Sequence, residues 1–335
     1  DDSADDDDSA DDDDSADDDD SAAPVDITEF LPPCQGGVLT AFDVDEVQPP
    51  APDSDGYLVT GPDTIAAVAG SLSALLDGDY QIALGLAALV DYELCSGEGD
   101  EYGTALWRPR PLLDGSGTGR TLFAWRSLGA RPLILGVPHP WFEAGTLEQG
   151  KEAFHELRAR ALIVSGTHRC ANSGESGCSG TTGVCGGDSG AQAFRESDMG
   201  HMDFTIYQRI HELLADAYEA DWALSLNGMN DDGISISDGT EEAAAAGSAV
   251  ALIGTALAAA FPGEPVTSCN DYPGAVVYTR VCGTTNTQGR YLNNAAEPCT
   301  EAADSASGRF VHLEQSAAIR QQTEQVVQAL DSVLP

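Results

Sequence analysis

The chain has 335 residues, 42% of them hydrophobic, and carries 56 acidic against 15 basic side chains, a formal net charge of −41. An apolar fraction of that size supplies a folded core and excludes a wholly disordered chain, while the acid excess excludes nucleic acid as a partner. The same charge opposes any polyanionic substrate, although salt near 0.15 M shortens the Debye length to about 8 Å and a local basic pocket could offset the average.

Residues 1–22 repeat DDDDSA and hold fourteen of the acids, so the remainder of the chain still carries about −27. With nothing larger than alanine to bury, this repeat is expected to be a disordered tether, with anchoring at a cell surface one use for it. Residues 23–56 form a Pro-rich linker and the start of the fold, and 57–335 are expected to make a single α/β domain. A strand YLVTG (57–61) is followed by an Ala/Leu-rich helical stretch, opened by Asp63 as N-cap and running in two parts to about Leu94. TLFAW (121–125) and PLILGV (132–137) read as consecutive strands. A helix over 147–160 and a strand over 161–166 come next.

The alternation continues with a helix over 202–218, strands 222–228 and 234–237, a helix over 241–261, strands 275–281 and 309–315, and a closing helix over 318–330. Helices alternating with short apolar strands predict a three-layer α/β/α fold with a mostly parallel central sheet. In such folds ligands sit where loops leave the carboxyl ends of strands, and His139, His168, Asn227 and Glu314 fall at or near such ends. The run 243–261 is nineteen residues without a charge, just long enough to span a bilayer. Its alanine and glycine contribute little to insertion, so a helix packed on the sheet is expected and the chain is read as not transmembrane.

Eight cysteines, none in a CxxC pair, point to disulfides and an oxidising compartment: extracellular, periplasmic or at the cell surface. The chain is read as a mature exported form whose leader has been removed. Connectivity is not readable from spacing, though close neighbours within 170–185 are suitable partners. In the same region CGGDSGAQ (185–192) resembles the nucleophile loop of trypsin-like proteases, but those are all-β double barrels, and a Gly/Ser loop held by disulfides is the expectation.

Two stretches carry the chemistry. VPHPWFEAGT (137–146) places His139 and Glu143 four apart after a buried strand, a spacing open to either a metal pair or a plain turn. In SGRFVHLEQS (307–316) strand alternation puts Phe310, His312 and Glu314 on one face, and a buried carboxylate there must be either paired with an arginine or used.

HPWFEAGT, ALIVSGTHR, LSLNGMNDD, CGTTNTQGRYLNN and SGRFVHLEQS together resemble, in order, the motif series of phage-type poly-γ-glutamate hydrolases, relatives of zinc carboxypeptidases and N-formylglutamate amidohydrolases. The resemblance covers roughly residues 121–330. It implies an exported, Zn2+-dependent hydrolase of a peptide-like amide. His139 and Glu143 would be metal ligands, Glu314 the general base toward a metal-activated water, and Arg169 a cationic group for an oxyanion or a substrate carboxylate. At the third ligand position the family carries histidine and this chain carries Asn227, whose neutral oxygen suits hard cations better than zinc. Asn227 as a ligand, His201 as its replacement, and a surface or binding protein that keeps the fold without full metal coordination are the three outcomes this substitution leaves open. His168 and His201 are otherwise expected behind the ligands or in structural roles.

Overall fold

The computed structural model describes residues 26–110, 119–186 and 191–334. The acidic repeat of residues 1–22 and Ser189 of the CGGDSGAQ loop lie outside the described residues. In chain order the helices are α1 Val44–Val47, α2 Pro62–Leu76, α3 Tyr80–Leu89, α4 Thr146–Glu156, α5 Ile206–Ala217, α6 Ala249–Ala260, α7 Thr287–Leu292, α8 Ala317–Arg320 and α9 Thr323–Asp331. The strands are β1 Tyr92–Ser96, β2 Thr104–Pro109, β3 Leu122–Arg126, β4 Arg131–Val137, β5 Ala159–Val164, β6 Trp222–Gly228, β7 Ile234–Ser237, β8 Val266–Ser268 and β9 Phe310–Gln315.

All nine described strands join one sheet in the order β1-β2-β3-β5-β4-β6-β9-β7-β8. The fold is α/β, but the sheet is mixed and not mostly parallel as expected: four neighbouring pairs run parallel and four antiparallel. The parallel centre is β5-β4-β6-β9, where α4 and α5 supply the long crossovers that parallel pairing needs. At one side β1 and β2 are joined by only seven residues, 97–103, enough for an antiparallel hairpin and too few for a crossover. β3 and β4, consecutive in the chain, are separated by β5.

Strand alternation divides the core in two. Leu133, Leu135 and Val137 of β4 face one side with α4, α6 and α9, while Ile134 faces the other with α2, α3 and α5. Each such fully buried Leu, Ile or Val contributes about 1.5–3 kcal/mol. The residues before position 57 belong to this body: Ile27 and Leu31 enter one core, Val38 and Phe42 the other. Glu101 accepts the Val38 and Leu39 amides at 2.6 and 2.8 Å.

Several boundaries differ from expectation. Residues 57–61 form no strand, because the Tyr57 main chain is taken at both its amide and carbonyl by the Asn172 side chain. The α3 helix stops at Leu89; Asp91 turns the chain at φ 57° and β1 follows, so Leu94 is strand. Helix α2 is capped at Gly61 with Pro62 opening it and Asp63 in its first turn. The apolar run 275–281 makes only an isolated bridge, Val277 to Ser268, and leaves Val276, Val277 and Tyr278 exposed. The closing helix is broken between Arg320 and Thr323. The 243–261 run yields α6 alone, twelve residues long, and among the described residues no helix is long and apolar enough to cross a membrane.

All eight cysteines pair: Cys34–Cys95, Cys170–Cys185, Cys178–Cys299 and Cys269–Cys282.

Candidate metal centre

Because β5, β4, β6 and β9 run parallel, their carboxyl ends open on one edge of the sheet. There the structure brings together His139, Glu143, Arg169, Asn227 and Glu314 in the wall of one cleft of about 580 Å³. His139 and Glu143 follow β4, in the turn that Gly145 (φ 96°) closes before α4. Arg169 follows β5. Asn227 and Glu314 are register partners at the ends of β6 and β9 and so point to the same face.

His139 stands between two carboxylates: Nδ1 is 3.0 Å from Glu143 Oε1 and Nε2 is 2.7 Å from Asp198 Oδ1. Burial and Arg169 push this imidazole down, but the two carboxylates win and its pKa is raised. Glu143 Oε2 accepts the Gly228 amide at 2.8 Å. A Cβ at 228 would run into the Arg320 guanidinium, so glycine here leaves room for that side chain.

Asp198 was not singled out from the sequence, yet it organises the group. Its Oδ1 accepts from His139 and from His201 Nδ1 (2.9 Å), and its Oδ2 from Arg169 Nε (3.1 Å) and Nη2 (2.6 Å). Burial alone would raise this carboxyl; Arg169, His201 and His139 together hold it well below the usual carboxylate range. The available signal was ESDMGH, an acid three residues before a histidine. Arg169 Nη1 also reaches Glu143 Oε1 at 3.3 Å, so the guanidinium is committed to two carboxylates of the chain.

Glu314 is buried and its Oε2 has no hydrogen-bond partner. Burial, reinforced by the charge of Glu143, pushes its carboxyl up to about 8. His312, two residues back on the same face, is pushed down to about 3 by burial. Asn227 donates Nδ2 to the Ser225 carbonyl and hydroxyl at 3.1 and 3.0 Å, which leaves its Oδ1 as the free end of the amide. His168 is elsewhere: it accepts the Cys170 amide on Nδ1 and meets Phe142 edge-on, outside the cleft wall. His201 stacks on Phe194 at 3.7 Å and does reach the cleft.

Ligand atoms of His139, Asp198 and His201 lie within 4.8 Å of one another. Two cation positions are therefore conceivable, on either nitrogen of His139. The Nε2 side is taken up: Asp198, the carboxylate beside it, already accepts four hydrogen bonds. The Nδ1 side carries Glu143, and both residues line the cleft, whereas Asp198 on the other side does not.

No family model matches the chain, and no curated protein matches it. Among solved structures it is similar to a bacteriophage poly-γ-glutamate hydrolase, at 14% identity over 62% of this chain and 90% of the other, TM-score 0.33. It is also similar to a metallo-carboxypeptidase from Burkholderia cenocepacia, at 11% identity over 76% of this chain and 67% of the other, TM-score 0.30. At such values too little of the backbone superposes to transfer a residue's role.

Proposed function

We propose that the cleft is the active site of a metal-dependent hydrolase that cleaves an amide bond in a peptide-like substrate. One observation carries this reading. Glu143, Asp198 and Glu314 are three buried carboxylates against the single guanidinium of Arg169, and Glu314 Oε2 lacks a partner. With Glu314 and the histidines free of protons the group would carry −2; without an ion that charge is relieved by protons, toward which both Glu314 and His139 are shifted, and a bound cation would take their place.

The donor set suits a divalent ion: His139 Nδ1 and Glu143 would hold it, with Asn227 Oδ1 as a third, weaker donor, and Zn2+ is the ion a histidine–carboxylate pair favours. Such an ion polarises an amide carbonyl and lowers the pKa of water. The chain's own residues do the rest. Glu314 Oε2 takes the proton from the attacking water and delivers it to the leaving amine. Asp198 fixes the ring of His139 and its tautomer by holding Nε2–H, and Arg169 fixes Asp198 and Glu143. Four disulfides favour an oxidising, exported location.

Asn227 supports a second reading, a binding or surface protein that keeps the fold with a weakened metal site. Metal analysis separates the two. About one ion per chain, lost in His139→Ala, supports the hydrolase, and a protein that takes up no divalent ion supports the binding protein. In the hydrolase, Glu314→Gln lowers amide cleavage about 100-fold or more with metal content unchanged; cleavage that survives removes Glu314 from its role.

A further inference from the structure

The walls of the cleft restrict what can lie in it. A substrate carboxylate is recognised by a guanidinium or ammonium whose charge is not already offset by carboxylates of the chain. Arg169 is the one arginine or lysine among the described residues lining the cleft, and three of its five N–H groups go to Asp198 and Glu143, two buried carboxylates that offset its charge.

Arginines close in sequence or contact to the lining residues also have partners within the chain. Arg320 donates to the carbonyls of Ala144 and Gln315. Arg290 donates to the carbonyls of Thr284, Pro298 and Cys299 and to the Ser179 hydroxyl. Arg195 is bonded to Asp53 and to the Cys170 and Cys185 carbonyls. Arg280 lies 3.5 Å from Asp231 and donates Nη2 to the Asp232 carbonyl, and its remaining Nε is buried; Asp231, whose side chain is 63% exposed against 20% for Arg280, lines the cleft.

Beyond Asp231 and the residues of the centre itself, the described wall is neutral. Thr181 and Thr182 stand on the loop tied by Cys170–Cys185, and Thr284 and Thr285 follow Cys282 of the Cys269–Cys282 bridge. Phe142 and Val281 are large apolar lining residues, 42% and 48% exposed. Hydroxyls with apolar contacts suit an uncharged chain, and the exposed carboxylate of Asp231 adds a preference for positive charge.

We propose that this cleft takes a peptide-like segment that is uncharged or cationic on both sides of the scissile amide and rejects a carboxylate there. It therefore cuts within a chain instead of trimming a residue that bears a free C-terminal carboxylate. This rests on the hydrolase reading above, and the two are tested separately. Hexapeptides of one length would be compared: end-blocked alanine, end-blocked with Lys, end-blocked with Glu, and alanine with a free C-terminus. Salt near 0.15 M screens the long-range repulsion of the acidic body, so that discrimination reports the cleft itself.

Two readouts are needed: kcat/KM with the metal-loaded full chain, and calorimetric binding to its Glu314→Gln variant. The expected result is at least tenfold better cleavage and binding of the blocked alanine and Lys peptides than of the Glu and free-acid peptides, with the Lys preference reduced in Asp231→Asn. Equal or better handling of the Glu or free-acid peptide overturns the inference and leaves the hydrolase reading standing. Binding in the expected order without any metal-dependent cleavage overturns the hydrolase reading alone. Absence of both binding and cleavage overturns both.

Discussion

At the scale of single residues, the centre is arranged by a side chain that touches no open space of its own. Asp198 is buried and saturated by His139, His201 and Arg169. A ligand histidine needs its far nitrogen held by an acceptor, and such partners change metal affinity by 10- to 100-fold when altered. Asp198→Asn is therefore expected to weaken divalent-ion affinity by about that factor, read by competition with a chelating indicator. It also leaves Arg169 short of a charge partner in the interior, so a loss of about 3–5 kcal/mol in unfolding free energy should accompany it. Unchanged metal affinity would take Asp198 out of the centre. His139 and Glu143 were legible in the sequence through their spacing after a strand, and Glu314 as an acid in an apolar strand. Asp198 was not, because two of its three partners, Arg169 and His139, lie 29 and 59 residues away and only His201 is near it in sequence.

Among the elements, β6 and β9 decide the site. Their register sets Asn227 beside Glu314 and Ser225 beside His312, and a slip of one residue in either strand would turn that strand's two side chains to the opposite core. On the same side of the sheet α5 carries a second buried histidine. His211 Nε2 has no partner, and burial pushes the ring down to about 4 from an ordinary 6.5. The unfolded chain takes up this proton near pH 6.5 while the folded one resists until about 4. The contribution to stability is then complete above about pH 6.5 and is lost as pH falls toward 4, about 3 kcal/mol in all. Urea unfolding at about pH 7 and about pH 4.5 should show this drop, and His211→Leu should make it smaller; an identical drop in the variant would clear His211. His312 acts in the same direction.

For the molecule as a whole, the bridges reach between distant parts of the chain and the cleft wall. Cys178–Cys299 spans 121 residues and anchors the loop that leads to Thr181 and Thr182. Closing so long a loop stabilises by about 4–5 kcal/mol in the chain-entropy account. Replacing both cysteines by serine should lower the midpoint of thermal unfolding by several degrees, with the other three bridges intact by mass spectrometry. Eight alkylatable thiols in the unreduced protein would contradict both the pairing and the exported location.

Composition and period were enough to establish an acidic, disulfide-bonded α/β protein and most of its central elements, from β4 through β6 to β9. Those signals are local: burial on both faces makes a strand apolar throughout, and one-sided burial gives a helix its stripe. Tertiary structure alone decided the mixed sheet, since pairing direction depends on which strands meet and not on what each contains. It also decided the fate of 275–281, whose valines promised a strand and instead stand in solvent. The convergence of Asp198, Arg169 and Asn227 on His139 depended on parallel strands ending at one edge, which no window of sequence contains.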